Sequence, residues 1–220
     1  MKDIKDTPNG ITPLGNNRDY VGYGKNIPVV AWPGGARVAV SLVLNYEEGS
    51  ERSFDVDGQN ETMGENVRTI EGLYRDFSQE SSFEYGSRAG VHRIMRLLKR
   101  YGLPCTVFAA AMALERNPSV VEWIREDQHE PCAHGWRWSE SWHMSREMEK
   151  ETICKAVESI TRTCGVRPVG WFSRRMRSQY TRELLVEEGG FIYDSDATND
   201  DIPYYTQVGN KSHLIIPYSV

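Results

Sequence analysis

Short apolar runs alternate with longer amphipathic stretches along most of this chain, and that alternation limits the folds open to it. The runs are RVAVSLVL (37–44), LPCTVFAAA (103–111), HEPCAHG (129–135), PVGWFS (168–173), FIYDSD (191–196) and HLIIPYSV (213–220). Between them lie stretches with helical period and end signals. SRAGVHRIMRLLKRYG sets Val91, Ile94, Leu97 and Leu98 on one face, with Gly102 as terminator. NPSVVEWIRED has Asn117 as cap and Pro118 at its first helical position. SREMEKETICKAVESITRTCG is bracketed by Ser145 and Gly165, and SQYTRELLVEEGG follows. Strands alternating with helices at this spacing predict βαβ units and a parallel sheet or barrel. Active sites of such folds gather at the carboxyl ends of the strands. The polar residues obey that rule: Glu47 and Glu48 follow the first run, His134 the third, Ser173 to Arg175 the fourth, and Asp194 and Asp196 the fifth.

The chain has 220 residues, enough for one substantial core. Residues 1–17 are polar with Pro and Gly breakers and are expected to form a mobile arm ahead of a domain at 18–220. Residues 50–83 form a long polar excursion, of the kind that is more often functional than idle. Net charge is −5 and the basic residues are scattered, so no case arises for nucleic acid or an acidic membrane surface. Cys105, Cys132, Cys154 and Cys164 form no CxxC pair, which argues against a zinc knuckle or disulfide scaffold. With no membrane-length apolar run and no secretory core in MKDIKDTPNGITP, a cytoplasmic location is the expectation. The last apolar run ends the sequence, and five or six βα steps are too few for an eight-stranded barrel of ~250 residues. The expectation is an open sheet or a barrel lacking its closing part.

CAHGWRWSESWH (132–143) resembles a metal site short of a ligand. The position four after His134 is Trp138, and the next histidine is His143. One imidazole and a glutamate fall short of the three protein ligands usual for zinc. Amide hydrolysis without metal needs a carboxylate base and donors for the oxyanion. Adjacent Glu47 and Glu48 resist ionising together, which suits one for acid/base work, and only one need face a pocket. His134 is positioned to act as acid or to orient the substrate. EYGSRAG is expected to start a helix, with Ser87 as cap and with Tyr85, Arg88 and free N–H groups near a carbonyl ligand. Arg175 is a second carbonyl clamp or part of a solvated turn.

NYEEGS, EYGSRAG, GLPCTVFAAAMAL, AHGWRW, RPVGW, EEGGFIYDSD and DDIPYY occur in this order. Together they resemble the polysaccharide deacetylase (NodB homology) superfamily, and within it the branch of metal-independent allantoinases, over residues 18–220. The resemblance implies a distorted (β/α) barrel, here without its C-terminal closing part, assembled as a dimer or tetramer. It places Glu47 and Glu48 on the family's Asp-Asp pair, His134 on its first metal histidine and Trp138 on the second. It places Asp194 and Asp196 on an acidic motif that orients catalytic partners. Trp138 then offers an apolar plane for a flat heterocycle or simply packs the barrel mouth. Branch members carry glycine where this chain has Arg174, a change expected to crowd the pocket. The implied activity is hydrolysis of a non-peptide carbon–nitrogen bond in a small ureide, with neither metal nor cofactor. A metal-dependent deacetylase of N-acyl substrates and an inactive truncated relative are the alternatives.

Overall fold

The computed structural model describes residues 19–62 and 74–218; the expected N-terminal arm lies outside them. The chain divides into two units, Met1–Val40 and Ser41–Val220. In the first, the carboxylate of Asp19 accepts from the backbone N–H groups of Val21 and Gly22. A 3₁₀ turn follows at Pro33–Gly35.

The second unit is a seven-stranded sheet in the order β1-β2-β3-β4-β5-β7-β6. The strands are β1 (Val43–Tyr46), β2 (Thr106–Ala109), β3 (Glu130–Ala133), β4 (Gly170–Trp171), β5 (Tyr193–Asp194), β6 (Tyr204–Val208) and β7 (Lys211–Ile215). Strands β1 to β5 and β7 run parallel; among the described residues only the β6–β7 pair is antiparallel. Each parallel strand lies beside its predecessor, the singly wound order of a (β/α) barrel, here with β1 and β6 as edges.

Among the described residues seven α-helices accompany the strands: α1 (Phe54–Asp57), α2 (Phe77–Tyr85), α3 (Val91–Tyr101), α4 (Ala111–Arg116), α5 (Pro118–Glu126), α6 (Arg146–Cys164) and α7 (Thr181–Glu188). Helix α6 has the ends its sequence dictates: the Ser145 side chain accepts from Met148 N–H, and Gly165 closes it at φ 74.

Alternation along β2 separates two cores. Val107 and Ala109 join the large cluster under the helices, whereas Phe108 joins Cys132 and Tyr193 in a smaller one. At Gly170 a Cβ would lie 2.2 Å from the Tyr193 ring, so β4 requires glycine to let the tyrosine pass.

Three expectations are corrected. The run 37–44 is not all strand: pairing begins at Val43↔Thr106, and Val38 and Val40 are exposed. Carried back two residues, the register would set Ser41 opposite Pro104, which has no N–H to donate. On α3 the buried residues are Val91 and Met95, while Ile94 and Leu97 are exposed, so the inward face is rotated from the expected one. The last run is a strand as expected, but it spans Lys211–Ile215 rather than 213–220, and it pairs on its outer side with an unforeseen β6 through a turn at Gly209 and Asn210. Among the described residues no helix is long and apolar enough to cross a membrane.

Candidate active site

Strand β1 delivers two adjacent carboxylates that part company. Glu47 Oε1 lies 3.0 Å from His134 Nε2, and its side chain is 19% exposed, within reach of water. Glu48 is pressed against Gly86, where an added Cβ would come within 2.1 Å of its Oε1. Glu48 accepts from the Glu47 N–H, and burial, with the charge of Glu47 as a lesser cause, raises its pKa.

His134 follows β3 and is buried. Its Nδ1 stands 2.7 Å from the Phe172 carbonyl oxygen. A carbonyl can only accept, so Nδ1 carries a hydrogen and the exchangeable position is Nε2. A hydrogen bond between Nε2 and Glu47 Oε1 needs a hydrogen on one of the two atoms, so the geometry lets the pair share a single proton.

The strand ends β4 and β5 supply the next layer. Asp196 accepts from the Ser173 N–H and hydroxyl, both at 2.7 Å. Burial, reinforced by Asp194, pushes the Asp196 carboxyl up to about 6, and the charge of His134 acts in the opposite direction. Asp194 is fully buried. Burial would raise its pKa, but hydrogen bonds from His213 and Arg182 hold it below the usual carboxylate range. Asp194 also accepts from the Asp196 N–H and so fixes that residue's backbone.

The excursion after β1 is tied down by Arg137, which donates to the carbonyls of Ser50 and Glu51 and grips both oxygens of Asp57. Beneath it Arg174 is buried. It forms a forked pair with Glu61, donates to the Trp138 carbonyl, and lies 3.7 Å from the centroid of the Trp138 ring. Arg52 completes this group through Glu140 at 2.6 Å. A narrow recess of about 20 Å³ beside His134, little more than room for one water, is lined by Arg137, Trp171, Ser173 and Arg174 among others.

Trp138 is 9% exposed and already covered by Arg174, with Phe83 at its edge. This favours the packing role over an open stacking plate. Tyr85 and Arg88 are not drawn to the His134 pair. Both are exposed, with Arg88 paired to Glu84 and the Tyr85 hydroxyl near Arg93. The expected helix start at Ser87 is absent, because α2 runs through a π-turn at Gly86–Gly90 directly into α3. The N–H groups expected to be free are therefore within a continuous helix. Arg175 is exposed, in left-handed backbone at φ 61.

Sequence reasoning missed Glu61, Arg52 and Glu140, which sit in polar stretches without period. It also gave no role to His213, whose partner Asp194 is distant in sequence. Nothing in the local pattern marks those long-range pairings.

The metal that the family pattern implies does not fit these residues. Glu47 and His134 offer two donors, the third position is a covered indole, and among the described residues no three His, Cys, Asp or Glu side chains converge.

The profile of the polysaccharide deacetylase family matches residues 78–186. A polysaccharide deacetylase relative from Schizosaccharomyces pombe is 35% identical over 227 residues, covering 92% of this chain and 70% of that protein. A solved structure of the polysaccharide deacetylase type from Pseudomonas aeruginosa PAO1 is 45% identical, with TM-score 0.83, over 93% of this chain and 70% of that one. The crystal structure of PuuE allantoinase is 42% identical, with TM-score 0.85, over 94% of this chain and 70% of that one.

Proposed function

Because the chain belongs to the polysaccharide deacetylase family, a family of hydrolases, we propose that it opens a cyclic ureide of the allantoin kind by hydrolysing a non-peptide carbon–nitrogen bond. The observation that carries this reading is the Glu47–His134 pair; the resemblance to the family aligns Trp138, covered by Arg174, with a metal histidine. The likeness to PuuE allantoinase supports the choice of substrate.

In this reading the pair works as imidazolium and carboxylate. Glu47 takes a proton from water, and the hydroxide adds to the ureide carbonyl carbon. The developing oxyanion is met by the positive charge of His134. His134 then gives its Nε2 proton to the departing nitrogen as the carbon–nitrogen bond breaks, leaving a carboxylic acid and a free N–H. Glu47, now carrying the water proton, restores the shared proton to Nε2. Asp196, near His134, adds to the charge balance of the imidazolium.

The names of the yeast and Pseudomonas relatives favour a second reading, removal of an N-acetyl group from a glycan. Purified protein given allantoin and, separately, an N-acetylated glycan oligomer distinguishes the two. Ring opening of allantoin supports the first reading; release of acetate alone overturns it.

A further inference from the structure

We propose that Phe172 is a positioning residue for His134, acting through both its backbone and its ring. The two residues directly follow neighbouring strands, His134 after β3 and Phe172 after β4, and meet at three points. Phe172 N–H donates to the Ala133 carbonyl at 2.9 Å, tying its backbone to the residue before the histidine. The Phe172 carbonyl accepts from His134 Nδ1 at 2.7 Å, which selects the Nδ1–H form. The Phe172 ring lies parallel to the imidazole, with an interplanar angle of 11° and centroids 5.1 Å apart. That contact fixes the plane in which Nε2 can point, and Glu47 Oε1 lies 3.0 Å along that direction.

Phe172 is itself held. Its ring stacks on Phe108 at 4.7 Å and on Tyr218 at 5.0 Å, within the smaller of the two cores. The imidazole is thus the end member of an aromatic stack whose other members lie on β2, beyond β4 and beyond β7. A flexible aliphatic side chain at 172 would leave the carbonyl bond in place but free the imidazole to tilt. Misplacement by a fraction of an ångström at a reacting group is enough to slow chemistry without weakening binding.

The catalytic arm of the test rests on the allantoin reading; the spectroscopic arm does not. In ¹⁵N-histidine-labelled protein, His134 is assigned by loss of its signals in His134→Asn. Above the imidazolium range the wild-type ring is expected in the Nδ1–H form alone, and an Nε2–H form there overturns the proposal before any variant is made. Phe172→Leu is expected to lower kcat on allantoin by about 10- to 100-fold with KM nearly unchanged, and to broaden or move the His134 signals. Phe172→Tyr, which keeps the stack, is expected to restore both. Wild-type kcat and unchanged His134 signals in Phe172→Leu overturn the proposal. Should the wild type leave allantoin untouched, the function fails while the ring signals still decide the role of Phe172.

Discussion

The guanidinium of Arg174 rests on the indole of Trp138, 3.7 Å from its centroid, and pairs with Glu61 along its outer edge. Side chains of both charged residues are essentially inaccessible, at 1% and 0% exposure. Removing one partner leaves the other buried with a longer ion pair, Glu61 to Arg52 at 3.7 Å or Arg174 to Glu140 at 3.4 Å. Arg174→Met is expected to destabilise the fold by about 3–5 kcal/mol in urea unfolding. Adding Glu61→Leu is expected to recover much of that loss. Additive effects of the two changes would show that the pair is not coupled.

Glu47→Gln and His134→Asn are each expected to lower allantoin hydrolysis by about 10²-fold or more, with circular dichroism melting unchanged in shape. Since the donor set at the site does not fit a metal, EDTA is expected to leave the rate intact. Activity lost on chelation and regained with zinc would reverse that reading.

Asp196 is held at about 6, against an ordinary 3.8. The unfolded chain therefore releases this proton first, and between these values the folded protein binds more protons. Stability contributed by this group falls as pH rises through that window and stays low above it. At about 1.4 kcal/mol per pH unit, the cost is about 3 kcal/mol near neutrality. Asp196→Asn is expected to stabilise the protein more at about pH 7 than at about pH 4, measured by urea unfolding at both. An equal effect at the two pH values would sink the assignment.

Gly86 is the point where the π-turn touches Glu48. Alanine is the better helix former by about 1 kcal/mol, but here its methyl group must displace the Glu48 side chain. Gly86→Ala is expected to keep the melting temperature within a few degrees while changing kcat, if Glu48 shapes the position of Glu47 through their shared hydrogen bond. Unaltered kinetics would assign Glu48 to packing alone.

Much of the scaffold was legible because its signals are local. Ser145 and Gly165 delimit α6, Asn117 and Pro118 open α5, and the rim residues Glu47, His134 and Asp196 follow from where the strands end. The β6 strand was missed although Gly209 and Asn210 are a hairpin pair of the kind that turns such strands. EYGSRAG carries residues that suit a helix start, yet its tertiary setting keeps the helix continuous and bulged. Arg174 stands out in the sequence where branch members carry glycine, but its partners Glu61 and Glu140 lie 113 and 34 residues away, beyond any periodic signal.

The sequential parallel order of the strands has an evolutionary reading. Each strand hands one loop to the same rim, and the helix that follows returns the chain to the opposite end. Glu47, His134, Ser173 and Asp196 therefore reach one neighbourhood from four separate loops. A substitution in any one loop alters the chemistry offered to a ligand while the strand register beneath stays as it was. A chain built this way can set an indole, Trp138, on one loop and cover it with an arginine, Arg174, from the next, while the strands beneath keep their pairing.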